Sequence, residues 1–222
     1  MPQRALMDRR PLLLASLAFA ISYYFIREGP GGEAYLIAWK GAGVALLAVS
    51  AWLGAPGTDG KRLATVLAFG AIGDMAIELS LKAGAAFFFV GHLTAIALYL
   101  RHGRERLAPS QKVAAAALLL LTPVIAFLLP ADRAAAPTVA LYALALGGMA
   151  AAAWASAFPR YRVGLGAVLF VASDLLIFAR LGPLADSPLP DLLIWPLYYF
   201  GQFLICVGAV GSLRSLNPPT PR

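Results

Sequence analysis

Residues 163–181 read VGLGAVLFVASDLLIFARL, and this stretch decides the fold class. It is about as long as the ~20 mainly apolar residues that an α-helix needs to cross a bilayer. Its only charged residues are Asp174, near the middle, and Arg180, at its end. The stretch therefore predicts a transmembrane helix that carries one carboxyl inside the apolar region.

Seven further stretches of similar character occur along the chain, at 11–26, 34–53, 63–81, 84–100, 113–129, 138–157 and 192–213. The connections between them carry Gly, Pro, Asp and Arg, and none is long enough for a soluble domain. The first stretch follows Arg9 and Arg10 as in a signal peptide, but it lacks a clear cleavage site, so we interpret it as a retained span. We predict an all-α polytopic membrane bundle of eight transmembrane helices, with residues 1–222 as a single integral membrane domain.

The composition of the whole chain favours the same fold class. Hydrophobic residues make up 60% of the chain and charged residues 13%, and the mean hydropathy is +0.76. A soluble domain is closer to ~45–50% apolar and ~25% charged. The net charge of +7 does not indicate a nucleic-acid partner, because the basic residues form short clusters between apolar stretches rather than one patch.

The basic residues also predict the orientation of the chain. With eight spans, 13 of the 18 Lys and Arg residues fall on one side and four on the other, with Lys40 inside a span. The thirteen are Arg4, Arg9, Arg10, Lys61, Arg62, Arg101, Arg104, Arg106, Lys112, Arg160, Arg162, Arg214 and Arg222. By the positive-inside rule this side is cytoplasmic. We therefore expect both termini in the cytoplasm and the protein in a bacterial inner (plasma) membrane.

Several polar residues fall inside the predicted spans, where a charge at the bilayer centre costs ~2.5–3.5 kcal/mol on insertion scales. They are Lys40, Asp74, Glu78, His92, Ser173, Asp174, Tyr198, Tyr199 and Gln202. Counted at ~1.5 Å per residue, most of them lie in one layer, ~10–15 Å below the outer surface, with Glu78 nearer that surface. Asp74 and Glu78 are four residues apart and share a helix face. The common depth predicts one polar cavity within the bundle.

Each of these residues also has a purely structural interpretation. Lys40 could neutralise Asp74 or Asp174 in an ion pair that only joins helices, and His92 could be a hydrogen-bonded packing residue. Glu78 could extend to the interface, and Tyr198 could be an interfacial anchor. Glycines near the two aspartates let helices approach closely without any chemistry. These glycines are Gly70, Gly73, Gly164 and Gly166.

The two intramembrane aspartates suggest acid–base chemistry. Two carboxyls in one site of low dielectric constant cannot both ionise comfortably, so one of Asp74 and Asp174 would keep its proton. The single cysteine, Cys206, and the two histidines do not supply a set of zinc ligands. Ser173 lacks the Gly-x-Ser-x-Gly elbow of a serine hydrolase. The residues therefore favour hydrolysis by water between a general acid and a general base, with no cofactor and no metal.

Four segments resemble the signature of the YhhN family of membrane proteins, which includes lysoplasmalogenases. They are Gly70–Asp74 in the third span, Phe87–His92 in the fourth, Gly166–Asp174 in the seventh and Tyr198–Gln202 in the eighth. Lys40 in the second span also fits. The resemblance covers nearly the whole chain and agrees with eight spans. The chain departs from the pattern at Gly201, where Ala is usual.

The resemblance implies hydrolysis of the vinyl-ether bond of lysoplasmalogens, which releases a fatty aldehyde and a glycerophospho-alcohol. Asp74 and Asp174 would then be the catalytic residues. The supporting residues would tune the pair or hold water and the phosphate-bearing head group; they are Lys40, Glu78, His92, Ser173, Tyr198, Tyr199 and Gln202. The implied partners are a lysophospholipid substrate, whose alkenyl chain would lie in an apolar cleft between spans, and the lipid of the membrane.

Two other kinds of protein fit the same residues. A lipid or small-molecule transporter would use the buried charges for recognition or coupling. Inverted repeats are then expected, and the sequence shows no convincing internal repeat. A structural or sensory membrane protein would use the ion pairs only to specify helix packing.

Overall fold

The computed structural model describes residues 10–29 and 33–216, and its regular structure is helical. These ranges contain α1 (Arg10–Ile26), α2 (Glu33–Gly54), α3 (Gly57–Leu79), α4 (Leu81–Arg101), α5 (Pro109–Leu128), α6 (Ala136–Ala155), α7 (Leu165–Arg180) and α8 (Leu189–Leu216). A π-helical turn, Arg160–Gly164, runs directly into α7. The predicted all-α fold class is confirmed.

Each predicted span overlaps one of these helices. Six helices of the described chain are long and apolar enough to cross a membrane, namely α2, α4, α5, α6, α8 and α7 together with its π-helical turn. Helix α1 is apolar but has only 17 residues, and α3 has 23 residues of which five are charged. The chain is an integral membrane protein. Its span count and sidedness stay predictions, and Arg4, Arg9 and Arg222 of the charge count lie outside the described residues.

The third predicted span, 63–81, differs from α3 at both ends. The helix begins at Gly57, and Arg62 donates a hydrogen bond of 2.7 Å to Asp59 in its first two turns. It ends at Leu79 because Ser80 has an extended backbone, with φ −162° and ψ 124°. Hydropathy marks the apolar length of a helix and not its whole length, since polar turns can continue a helix beyond the lipid.

Large apolar side chains lie exposed on the helices. On α5, Leu120, Val124 and Leu128 are each more than half exposed. A soluble monomer rarely exposes a contiguous apolar patch of this kind. Lipid is the surrounding that removes such side chains from water, which agrees with the membrane assignment.

The chain divides into two compact units. The first comprises the described residues up to Thr94 together with Cys206–Leu216, and the second is Ala95–Ile205. In the first unit α1 packs on α2, and α2 packs on α3. The Ser16 hydroxyl of α1 donates a hydrogen bond of 2.6 Å to the Gly43 carbonyl of α2. This bond satisfies a hydroxyl that is fully buried.

In the second unit α5, α6 and α7 pack against one another, and glycines bring α7 and α8 into backbone contact. A Cβ atom on Gly201 would lie 2.7 Å from the carbonyl oxygen of Gly166, and a Cβ on Gly166 would lie 2.6 Å from that of Gly201. Neither distance is compatible with a real Cβ atom. The close helix approach expected at Gly166 is therefore present. Gly201, where Ala is usual in the family, lies opposite Gly166 in the same contact.

We predict that Gly201→Ala destabilises the protein, because its new methyl group meets a backbone carbonyl that cannot move aside without shifting a helix. Overpacking of this kind typically costs about 1–3 kcal/mol. Gly211→Ala, on the same helix, is the matched control, since nothing lies within 4 Å of its Cβ position. Thermal unfolding in detergent should show a lower midpoint for Gly201→Ala alone. Equal midpoints for the two variants would contradict the close helix crossing.

Candidate functional site

The first unit holds a group of ionisable and aromatic side chains contributed by α1, α2 and α3. Lys40 Nζ forms an ion pair with Glu78 Oε1, and this ammonium lies 5.7 Å from the centre of the Tyr23 ring. The Tyr23 hydroxyl donates a hydrogen bond to Glu78. The Lys40 side chain is 14% exposed and the Glu78 side chain 37%. A partly buried ion pair therefore joins α2 to α3, and a tyrosine of α1 completes it.

Asp74 lies one helical turn before Glu78 on α3 and is buried, with 2% of its surface exposed. Tyr23 is within electrostatic range of the Asp74 carboxylate as well as that of Glu78, as a shared helix face requires. At the neighbouring Gly73, a Cβ atom would lie 2.9 Å from the Phe88 ring of α4. Helices α3 and α4 are thus in close contact at the residue that precedes Asp74.

The structure shows a partner for Lys40 that was not among those considered for it. The ion pair that it shows is with Glu78. Glu78 is the more exposed member of the pair, and its depth in the membrane stays a prediction. His92 is buried on α4, with 3% of its surface exposed.

In the second unit the Asp174 carboxylate is bound by a tyrosine. The Tyr142 hydroxyl of α6 donates a hydrogen bond of 2.6 Å to Asp174 Oδ2 on α7. This distance lies in the range of about 2.5–3.0 Å of O–H···O hydrogen bonds. Asp174 is 5% exposed. Among the described residues no Lys, Arg or His forms an ion pair with it.

The neighbouring Ser173 fixes α7 to α8. Its hydroxyl donates a hydrogen bond of 2.9 Å to the carbonyl oxygen of Ile194, and the residue is fully buried. The bond ties the backbone beside Asp174 to the next helix. Ser173 is therefore a positioning residue for the carboxyl in this structure.

The polar residues of α8 lie inside an aromatic layer of the second unit. The rings of Phe170 and Tyr198 meet edge to face, with centroids 5.0 Å apart, and Trp195 stacks on Tyr199 at 6.0 Å. Gln202 Nε2 donates a hydrogen bond of 3.5 Å to the Tyr198 hydroxyl. All of these residues except Phe170 lie on α8, one or two helical turns apart. Since Tyr198 is 4% exposed, it is a buried residue and not an interfacial anchor.

Two tyrosines that the sequence analysis did not select, Tyr23 and Tyr142, are the partners of the intramembrane carboxylates. Tyr142 is also within electrostatic range of Tyr198, so Asp174, Tyr142 and Tyr198 form one polar group. Both missed tyrosines lie in apolar stretches, where such a residue usually signals packing or an interfacial anchor. The sequence nevertheless contains a signal for them. A buried phenol needs a hydrogen-bond partner and a buried carboxyl needs a donor, so tyrosines and acidic residues inside the same bundle are candidate partners.

We predict that Tyr142→Phe destabilises the protein by leaving a buried Asp174 oxygen without its donor. Loss of one partner of a buried hydrogen bond costs about 1–3 kcal/mol. Tyr161→Phe removes the same hydroxyl from a residue that is 83% exposed and serves as the control. The midpoints of unfolding in detergent should fall only for Tyr142→Phe. If both variants unfold like the wild type, the hydrogen bond contributes no stability.

We also predict that Lys40 and Glu78 are energetically coupled. In a double-mutant cycle of Lys40→Gln and Glu78→Gln, a partly buried pair should show a coupling energy of about 1 kcal/mol, within the usual range for neighbouring groups. The control cycle uses Arg180 and Asp191, whose atoms are 3.1 Å apart but whose side chains are 47% and 61% exposed. Exposed pairs are typically worth less. Additive effects of the two substitutions would show that the Lys40–Glu78 contact is not stabilising.

Comparison with known proteins identifies the family to which these residues belong. A sequence profile of the YhhN family matches residues 35–209, which is most of the chain. The matched region contains Lys40, Asp74, Glu78, Tyr142 and Asp174. No curated protein matches the chain, and no solved structure does.

Proposed function

Because the chain belongs to the YhhN family, we propose that it is a membrane hydrolase that cleaves the vinyl-ether bond of lysoplasmalogen-type lysophospholipids. One observation carries the proposal. Two buried carboxyls, Asp74 and Asp174, lie on helices of a membrane protein, and each has a tyrosine in its surroundings. Burying such groups in apolar surroundings is costly, and intramembrane carboxyls are accordingly associated with function. The proposed location is a bacterial plasma membrane.

The reaction needs one proton donor and one water molecule. A carboxylic acid transfers its proton to the β-carbon of the vinyl ether, and the electron pair of the double bond forms the new C–H bond. The resulting oxocarbenium ion takes up water, which loses a proton to a carboxylate and leaves a hemiacetal. As the C–O bond of the hemiacetal breaks, its hydroxyl group loses a proton and the ether oxygen takes one up. The products are a fatty aldehyde and the alcohol of the glycerophospho-alcohol.

We assign the two roles from the surroundings of the two carboxyls. Asp174 is paired with the neutral Tyr142 hydroxyl and with no cation among the described residues, so we assign it the proton donor. Asp74 shares its helix face with Glu78, which holds the ammonium of Lys40. A nearby cation favours the ionised form of a carboxyl, so Asp74 is the group that is present as a carboxylate and takes the role of base towards water. Contrasting surroundings are how enzymes divide acid and base work between two like groups.

The remaining polar residues position these groups. The Lys40–Glu78 ion pair and Tyr23 fix the face of α3 that carries Asp74. Ser173, through its bond to Ile194, fixes the segment that carries Asp174. His92, Tyr198, Tyr199 and Gln202 are buried polar groups that would hold water or the head group of the lipid.

The test is aldehyde release from a lysoplasmalogen by the purified protein in detergent or liposomes. Asp74→Asn and Asp174→Asn should each lower the rate by about 10²–10⁴-fold, which is the usual contribution of general acid–base catalysis. Asp186→Asn removes the charge of an exposed loop carboxylate and should leave the rate unchanged. Full activity in both intramembrane variants would disprove the assignment.

The same preparations distinguish the hydrolase from a transporter. Liposomes loaded with lysoplasmalogen report aldehyde formation and lipid movement in separate assays. Lipid movement without aldehyde, abolished by Asp74→Asn, would support a recognition site for transport and contradict the hydrolase. Aldehyde formation that depends on both aspartates supports the proposed reaction.

A further inference from the structure

The second unit has an apolar groove on its surface, formed by α5, α6 and α7. Ala114 and Ile125 of α5 mark its two ends on that helix, Trp154 borders it on α6, and Val168 and Leu175 border it on α7. Its volume is about 360 Å³, within the ~300–1,000 Å³ of typical small-molecule sites. Apart from Thr122 and the indole N–H of Trp154, its lining side chains carry no polar group.

The dimensions of the groove suit one hydrocarbon chain. Ala114 and Ile125 are eleven residues apart on one helix, which corresponds to about 16 Å. One leaflet contributes about half of the ~30 Å hydrocarbon thickness of a bilayer. The length of the groove therefore matches the hydrocarbon thickness of one leaflet. This length and the apolar lining suit a single hydrocarbon chain.

A basic residue lies at the Trp154 end of the groove. The guanidinium carbon of Arg160 is 5.7 Å from the centre of the Trp154 ring, and Arg160 Nε donates a hydrogen bond of 3.4 Å to the Trp154 carbonyl. Within the described chain, Arg160 Nη2 and Trp154 Nε1 are buried and have no hydrogen-bond partner. Two donors that lack acceptors at the end of an apolar groove favour a ligand whose oxygen atoms lie at that end.

The loops around Arg160 make this end of the second unit strongly cationic. The α4–α5 and α6–α7 connections are joined there, because the Arg104 amide donates to the Ala155 carbonyl at 3.1 Å and the Ala157 amide to the His102 carbonyl at 2.6 Å. The joined segments 101–112 and 160–162 carry Arg101, Arg104, Arg106, Lys112, Arg160 and Arg162 against a single acidic residue, Glu105. Such clusters at a membrane surface attract anionic lipids.

We propose that this groove binds one anionic phospholipid, with a chain between α5, α6 and α7 and the phosphate at Arg160. The site is distinct from the proposed reaction centre. Arg160 and Asp174 are fourteen residues apart on one continuous helical segment, or about 20 Å, whereas only a glycerol backbone separates the phosphate of a lysophospholipid from its vinyl ether. One lipid cannot place its phosphate at Arg160 and its vinyl ether at Asp174, so this lipid is not a substrate in position to react.

The test is lipid titration of the purified protein followed by native mass spectrometry, with phosphatidylglycerol and phosphatidylcholine of identical chains. One phosphatidylglycerol molecule should bind, about tenfold more tightly than phosphatidylcholine. Arg160→Gln should remove this preference because it removes the charge-assisted contact to phosphate. Arg180→Gln removes an equal charge from an exposed arginine outside this cluster and should keep the preference.

The chain contact is tested by filling the groove. Ala117→Phe puts a ring into the groove, and Ala116→Phe puts the same ring on the exposed face one residue away. Binding should weaken only for Ala117→Phe, and Ala114→Leu is the milder variant if that one does not fold. Equal binding of the two lipids, or equal effects of both phenylalanine variants, would overturn the proposal. A dimer that Ala117→Phe dissociates would also overturn it, because a second copy would then cover the groove.

Discussion

The hydrocarbon core of a bilayer contains no water, so a polar group placed there must find its partner within the protein. Hydrogen bonds within each helix satisfy the backbone groups, and individual contacts with neighbouring helices satisfy the buried polar side chains. Ser16 donates to a backbone carbonyl of α2, and Ser173 donates to one of α8. The carboxyl group of Asp174 accepts a hydrogen bond from the Tyr142 hydroxyl, and the carboxylate of Glu78 binds the ammonium of Lys40. Each bond joins two different helices, so the same contacts that satisfy the polar groups also fix the helices against each other.

The cost of burial explains which features could be predicted from the sequence. Apolar length is set by the thickness of the membrane, so stretches such as 163–181 identify helices without knowledge of their neighbours. Ionisable residues inside such stretches stand out for the same reason, and Asp74 and Asp174 are indeed buried. The ends of α3 were predicted less well, because the residues Gly57–Arg62 are helical although they are too polar to be read as part of a span.

The partners of the buried groups could not be predicted, because a partner depends on how each helix is rotated about its axis. Lys40 pairs with Glu78, and a rotation of α2 about its axis by the angle between successive residues would present a different face to α3. Tyr23 and Tyr142 look in the sequence like ordinary aromatic packing residues, and only their position opposite a carboxylate distinguishes them. The aromatic layer around Tyr198 was likewise hidden, since the rings that enclose it come from α7 as well as α8.

The buried carboxyls and the basic residues of this chain lie at different positions along their helices, and the two positions suit different functions. A carboxyl in the middle of a helix such as α7 is costly to bury, so its surroundings must include a donor like Tyr142, and the geometry of that donor restricts what the carboxyl can reach. Arg160 lies where a helical segment begins, and a long side chain at a helix end can reach the interface at little cost. Its guanidinium can therefore keep unused donors for a ligand. On this physical basis the buried carboxyls suit chemistry that needs controlled protonation, and the basic end suits recognition of a lipid phosphate.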